Sequence, residues 1–545
     1  MSGSSTSGMT RRSVLKMGSL AAAAGIPMIG GFPIRAMAQE AGVLRIATGM
    51  FEMNWSPMMA GGPHYRWNSL WWASPMYFDE ESKIHPYVVT AWDHNDDFTK
   101  WSFELDPKAT FSDGSSITAG DIKGSWEMAA MPTTQNYRVD QVLSGVEGYD
   151  EVAAGNGNSI GGIKVVDDTH LTVTLKKPDS VFFMRIANDL IPIVKASEAR
   201  DEDGQMVQEW WSPDNGGSVS GPFKLVEINL DDGHLVFERN ENFFGSQPKL
   251  DRVEIDVVED PVTATTLLQR RQYDAHTELV TSTIVSDLGE EFSAGPSIPS
   301  GQHFWFNSKS APFDDPKVRQ ALILAVDRDG LIKASFPDGP NPKADQILVA
   351  VEGVDKDFEP FPYDPEKAKQ LLSESSYGGP ERLPRLVMAG MTNPAHQAAA
   401  QFIIEQWRQN LGISAVEILP TLDNFDTSRV HVIRDDAGTR VPDAAVFLNG
   451  VIASTGGTAI GKMNGYNNPK VDELLAQAVT LEADDPKRND LAQQAQRLFR
   501  DDYMFIPWYH EIMSRWANPY VQGMEKNLDW QVIRPWDIAI DTASK

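Results

Sequence analysis

At 545 residues the chain is well beyond the roughly 250–300 at which one hydrophobic core stops growing, so several domains are expected. Its 41% hydrophobic and 23% charged residues are ordinary globular values, which sets aside a disordered chain and a membrane bundle, and its net charge of −28 sets aside nucleic acid as a partner. Zero cysteines remove disulfides, thiolate nucleophiles, iron–sulfur clusters, cysteine zinc sites and the lipid-bearing cysteine of a bacterial lipoprotein.

Thr10 to Lys16 read TRRSVLK, an Ala- and Gly-rich apolar stretch runs from Met17 to Phe32, and Ala36-Met37-Ala38 follows. A positive segment, a short apolar stretch and an A-x-A site are the layout of an export signal, and Pro27 together with the short length disfavours a membrane anchor. The arginine pair resembles the twin-arginine pattern, with Val14 where phenylalanine is usual. The expectation is a signal peptide over 1–38, export of the folded chain by the twin-arginine translocase, cleavage after Ala38 and release into the periplasm. No later segment reaches the roughly 18 uninterrupted apolar residues of a membrane helix.

Farther along, apolar and polar residues alternate at Trp101-Ser102-Phe103-Glu104-Leu105, at Leu171–Leu175 and at Val253–Val257, which predicts half-buried strands. Thr118-Ala119-Gly120-Asp121 has capping-box spacing and opens a helix through Trp126, with Asp where Glu is commoner. Helices also begin at Asp315-Pro316, Asp364-Pro365, Asn468-Pro469 and Asp485-Pro486, where the side-chain oxygen covers an orphan N–H and proline gives up none that is needed. Val318, Ala321, Leu322 and Ala325 then follow helical spacing, as do Val471, Leu474, Leu475 and Ala478. Strands and helices distributed in this way make the class α/β.

The usual signatures of chemistry are missing. His510-Glu511 is followed by Ser514 where a zinc protease needs its second histidine, and Gly155-Asn156-Gly157-Asn158-Ser159-Ile160 ends in Ile within a polar loop. Gly217-Ser218-Val219-Ser220-Gly221 has Val at the nucleophile position, and Asp201-Glu202-Asp203-Gly204 has too few spaced oxygens for calcium. The pairs Asp96-Asp97, Asp231-Asp232 and Asp435-Asp436 read as solvated surface. No catalytic residue, metal site or cofactor is expected, and the chain reads as a protein that is not an enzyme.

Five distinct blocks then follow one another along the chain. Val88 to Glu127 holds Ala91, Trp92, Leu105, Phe111, Asp113, Gly114, Thr118, Ala119 and Asp121. A second holds Gly221-Pro222-Phe223, Arg239-Asn240 and Phe244-Gly245; a third holds Asn307, Pro312-Phe313, Asp315, Val318-Arg319 and Asp327-Arg328. YDPEKAKQLL and NGYNNPKVDELLAQA complete the series. Together they resemble the signature segments of the ABC-transporter extracellular solute-binding proteins of family 5, the oligopeptide, dipeptide and nickel class. The resemblance implies a periplasmic binding protein type II-like fold of three lobes, two of them jaws joined by a hinge with the ligand cleft between. Lobe I would take 39–78, 191–301 and 506–545, the extra lobe II 79–190, and the opposing lobe III 302–505, with crossings near Gly301 and Ile506. It also implies a monomeric binding subunit that serves a cognate ABC permease and ATPase in the inner membrane. A peptide chaperone or chemoreceptor adaptor on the same scaffold is the alternative, and an exported cofactor enzyme is a third reading that the empty search disfavours.

The same resemblance places a ligand. Met50, Phe51 and Trp55 lie in GMFEMNW, the first cleft-lining loop of the family. At the first crossing His303 and Trp305 share one face of a strand and Phe304 and Phe306 the other, so one face is free to meet the cleft. Trp305 is the residue expected on the ligand, with core packing as the competing explanation. Trp508 and Tyr509 offer the same at the second crossing. Opposite them, Asn449 and Gly450 follow Asp443 where peptide binders of the family carry a Gly-Trp pair and then an acid. Val451 to Gly457 contains no acid, so either Asp443 or Glu52 balances a ligand ammonium or the ligand presents none there. The ligand is expected to be a small organic solute, peptide-like or an oligosaccharide stacked on Trp305 or Trp508.

Overall fold

The computed structural model describes residues 28–29, 32–33, 42–49, 55–59, 67–79, 83–136, 138–187, 190–276, 292, 297–337, 342–347, 351, 353–419, 429–438, 441–456, 464–512, 516–524, 534–541 and 543. The arginine pair, the Ala38 cleavage site, Met50, Phe51 and Glu52 lie outside the described residues.

In chain order the main elements are β1 (Val43–Thr48), β2 (Val89–His94), β3 (Lys100–Leu105), α1 (Ala119–Ala130), β4 (Ile163–Asp167), β5 (His170–Thr174), β6 (Phe223–Asn229), β7 (His234–Arg239), β8 (Arg252–Val257), α2 (Pro261–Gln269) and β9 (Ala275–His276). They continue as β10 (Ser297–Phe306), α3 (Pro316–Leu324), α4 (Pro365–Glu374), β11 (Leu386–Ala389), α5 (Pro394–Leu411), β12 (Val416–Leu419), β13 (Val432–Gly438), α6 (Ala444–Val451), α7 (Pro469–Ala478), α8 (Pro486–Asp501), β14 (Phe505–Ile512) and β15 (Trp516–Ala517). The expected strands and capped helices are all present. β3 alternates with Trp101, Phe103 and Leu105 inward. In the capping box at the start of α1, Thr118 Oγ1 accepts from Asp121 N (3.2 Å) and Asp121 accepts from Thr118 N (2.9 Å). Asp315, Asp364, Asn468 and Asp485 each cap their helix, an arrangement worth about 1 kcal/mol apiece. The same Asx-Pro signature at Asp260 and Asn393 opens α2 and α5, two helices not singled out above.

Three larger sheets form, in the orders β6-β7-β8-β1-β9-β15, β2-β3-β5-β4 and β12-β11-β13-β10-β14. The first two share one hydrophobic core, which runs from Leu44 and Ile46 to Trp101, Phe103 and Trp126. The third has a core of its own around Phe304, Leu322, Trp407, Leu475 and Phe499. The chain passes between the two cores twice, from β9 to β10 and from β14 to β15.

Strand directions decide what those passages flank. β10 and β14 pair antiparallel from Ser297–Ile512 to Trp305–Phe505, so both passages leave from one end of the five-stranded sheet, and Gly301 and Ile506 lie within this ribbon. β13 is antiparallel to β10, and β11 is parallel to β13, so the carboxyl ends of both point to that same end. In the six-stranded sheet β8 and β9 are parallel to β1, and the chain leaves from the carboxyl end of β9. Both sheets therefore turn their carboxyl ends toward the linking segments, the place where open α/β sheets take ligands. The ribbon is tight at Gly301, where a β-carbon would come within 2.6 Å of His303 Nε2 and 2.7 Å of Ile347 O.

Candidate ligand-binding site

Just past the carboxyl end of β11, β13 presents Arg434 on the face it shares with Phe304 of β10. The guanidinium is held by neutral acceptors: Nε donates to Gly390 O (2.9 Å), Nη1 to Gln302 Oε1 (2.7 Å) and Nη2 to Thr392 Oγ1 (3.5 Å). Among the described residues no carboxylate lies within ion-pair distance of it. Gly390 and Thr392 belong to the turn between β11 and α5, so the cation sits at the N-terminus of an 18-residue helix. The helix dipole and a fixed guanidinium act in the same direction there, and both favour an anion.

His396 in the first turn of α5 is buried, with Thr392 Oγ1 3.0 Å from its Nδ1 and Asn393 Nδ2 3.0 Å from its Nε2. Burial, aided by Arg434, pushes its pKa down to about 3, so the ring is neutral. Asn393 donates to Nε2, which leaves the proton on Nδ1, donating to Thr392. The imidazole stands edge-on to Trp508 at 5.7 Å, so Trp508 is the floor beneath this corner.

The neighbouring acids differ from expectation. Asp435 and Asp436 are not both solvated: Asp436 is exposed, whereas Asp435 is half-buried, and burial followed by the charge of Asp436 pushes its pKa up to about 6. Asp443 is no free counter-charge for an ammonium. It caps α6 by accepting from Val446 N (2.8 Å) and accepts from Nε and Nη2 of the fully buried Arg488, at 2.7 and 3.0 Å. Its charge is already paired with Arg488, so the suggestion that Asp443 replaces the missing acid is corrected. Arg488 stands 45 residues away in the sequence, and no local pattern announces it.

Residues 83–459 match the profile described as bacterial extracellular solute-binding proteins, family 5 middle. The chain belongs to this family. This family 5 protein is 26% identical over 463 residues to the periplasmic oligopeptide-binding protein OppA of Salmonella typhimurium, covering 82% of each chain. It is 26% identical over 467 residues to heme-binding protein A of Haemophilus influenzae, covering 81% of each. The unliganded open form of the murein tripeptide-binding protein MppA superposes with a TM-score of 0.75 at 23% identity, covering 92% of this chain and 96% of the other. The fold of the family 5 binding proteins is thus the fold of this chain, and its role is solute binding.

Of the residues the sequence picked out for the site, Trp55, Trp305 and Trp508 are enclosed, at 1%, 1% and 0% exposure. Trp305 stacks on Phe505 at 5.4 Å and donates from Nε1 to Asp435 O (3.1 Å), on the sheet face opposite to Arg434. His303, Phe304 and Phe306 are buried as well, so both faces of the strand are covered and the open face expected there is absent. Trp508 is the unpaired residue of a bulge between Pro507 and Tyr509 and donates to Ser335 Oγ (3.2 Å). Tyr509 is buried, while Asn449 and Gly450 on α6 are half-buried. The structure brings Trp508 against His396 but leaves Trp305 on the far face. Arg434, Gln302, Thr392 and His396 were missed by the sequence reading; the Asn393-Pro394 helix start is the one local signal that leads toward them.

Proposed function

We propose that this family 5 protein is the periplasmic subunit of an ABC importer that captures a peptide-like solute by its carboxylate and delivers it to an inner-membrane permease and its ATPase. Arg434 carries the reading: a guanidinium fixed by neutral acceptors, at a helix N-terminus, just past the carboxyl end of β11, which points toward the links between two separately cored halves. The names of OppA and MppA, an oligopeptide binder and a murein tripeptide binder, support a peptide-like ligand ahead of an oligosaccharide. The proposal includes twin-arginine export with cleavage after Ala38, a monomer, and the three-lobe division given above, with closure about the β10–β14 ribbon. Asn449 and Gly450 of α6 are the described members of the first residue set with side-chain or backbone surface left to offer a ligand.

A thermal-shift screen tests it, using di- to pentapeptides, the same peptides amidated at the C-terminus, and oligosaccharides. A ligand present at 100 times its Kd stabilises by about 2.7 kcal/mol. The expected result is a rise in Tm with free carboxylates that amidation removes. Equal shifts with amidated peptides, or shifts with oligosaccharides alone, would overturn the carboxylate reading. Small-angle scattering with a binding peptide should show a smaller radius of gyration, and an unchanged radius would count against closure.

A further inference from the structure

The two cores meet away from the linking segments as well. Ser180 lies in the turn ahead of the short helix Phe182–Ile186 and is 1% exposed. Its Oγ donates to Val479 O (3.0 Å) at the end of α7 and accepts from Nη1 of Arg488 (2.9 Å) on α8. Beside it, His94 at the end of β2 places Nε2 3.7 Å from Glu482 Oε1. Ser180 and His94 belong to the half with the shared core; Val479, Glu482 and Arg488 belong to the half with the five-stranded sheet.

These contacts are built to part. Arg488 keeps its two bonds to Asp443 and those to Ala478 O (2.7 Å) and Leu481 O (3.0 Å) within its own half; of its bonds only the one to Ser180 spans the halves. Separation would release a serine hydroxyl and a carbonyl, neutral groups that water satisfies readily, while the buried ion pair stays intact. The receiving surface is thus preformed, and the incoming group is small and uncharged.

We propose that the Ser180 turn is a latch by which the four-stranded unit holds the two halves closed, docking on the α7–α8 connection with His94 and Glu482 at its rim. The four-stranded unit supplies none of the residues of the Arg434 corner. The latch gives it a separate role, in which it sets the balance of open and closed forms without touching the ligand. Because Arg488 also fixes Asp443, the cap of α6, the docking point and the helix carrying Asn449 and Gly450 share one rigid connection.

The test needs no ligand. The chain has no cysteine, so Val166→Cys on β4 (64% exposed) and Glu473→Cys on α7 (side chain 56% exposed) take spin labels cleanly. Dipolar distance measurements on the ligand-free, full-length mature protein should show a population at the separation of this structure. Ser180→Ala should lower the closed-to-open ratio about 10- to 100-fold, the weight of one hydrogen bond to a charged group. Ser180→Arg, too large for the niche, should abolish the short distance. Glu482→Trp, on a residue whose side chain is 54% exposed, wedges the same contact without entering either core, and it decides the matter if Ser180→Arg does not fold. A distance distribution that is unchanged in folded Ser180→Arg or Glu482→Trp overturns the latch, as does a parent protein with no short-distance population.

Discussion

Arg434 and Arg488 lie in the same half of the molecule and use one side chain in opposite ways. Arg488 is fully buried and its Nε and Nη2 both meet Asp443, so its charge is neutralised inside the protein. Arg434 is half-buried at a sheet edge and is held by an amide oxygen, a carbonyl and a hydroxyl, none of which cancels its charge. A guanidinium orients equally well in either setting. Only the second has no carboxylate hydrogen-bonded to it, with Asp435 acting on its charge from the next position and not through a bond.

The contrast breaks if the two arginines respond alike to mutation. Arg488→Met strands the Asp443 carboxylate in the interior, and urea unfolding should show a loss of about 3–5 kcal/mol; adding Asp443→Leu should recover most of it, because the pair is weaker evidence for stability than its halves suggest. Arg434→Gln should leave the unfolding midpoint nearly where it was. For a peptide with a free C-terminus that the parent binds, calorimetry should show affinity falling about 10- to 100-fold, the weight of charge-assisted bonds to a carboxylate. A large stability loss for Arg434→Gln with unchanged binding would reverse the assignment.

Titration sharpens the comparison. Burial pushes His303 and His396 down to about 3 and His510 to about 4, against about 6.5 in an unfolded chain. As pH falls below about 6.5 the unfolded chain takes up protons that the native rings refuse. The contribution of these histidines is therefore complete above that value and is lost on acidification. Asp435, pushed up to about 6, has the opposite sign: the native carboxyl keeps a proton that the unfolded chain has released, so its contribution is lost as pH rises from about 4 to 6. His431 is also pushed down by burial, while the Asp256 carboxylate pulls His234 up; with four lowered histidines against one raised histidine and one raised acid, stability should drop between about pH 6.5 and 4.5, by up to about 1.4 kcal/mol per pH unit for each histidine not offset. Denaturant unfolding across that interval checks it, with His303→Gln expected to flatten the slope by one proton's share; a flat profile in the parent would contradict neutral buried rings.

The smallest expected effects concern the helix starts beneath the two arginines. Asn393→Ala removes the cap of α5, and Asp485→Ala removes that of α8. Each should cost about 1 kcal/mol of stability. Only Asn393→Ala should also weaken peptide binding, because Asn393 orients His396 beside Arg434. Equal binding by the two variants would detach the α5 N-terminus from the site.

The residues themselves determined a good deal. Helix starts at Asp315, Asp364, Asn468 and Asp485 and the capping box at Thr118 were legible because a cap and its N–H are only two or three positions apart. Strand alternation at Trp101 to Leu105 was legible for the same local reason, and five ordered blocks along the chain were enough to indicate the family. Tertiary structure decided the rest. Alternation sorts His303 and Trp305 from Phe304 and Phe306 but does not say which face is covered, and here helices and neighbouring strands cover both. Asp443 looks like an available acid until Arg488 arrives from α8, and Asp435-Asp436 looks like a solvated pair until the fold buries one member. Arg434 has no distinguishing neighbour in sequence; what marks it is the meeting of a strand edge, a helix N-terminus and Gln302 from another strand. Charge left over after folding is a property of three-dimensional partners, so the sequence named the class of molecule while only the packed chain showed which arginine still has a charge to offer.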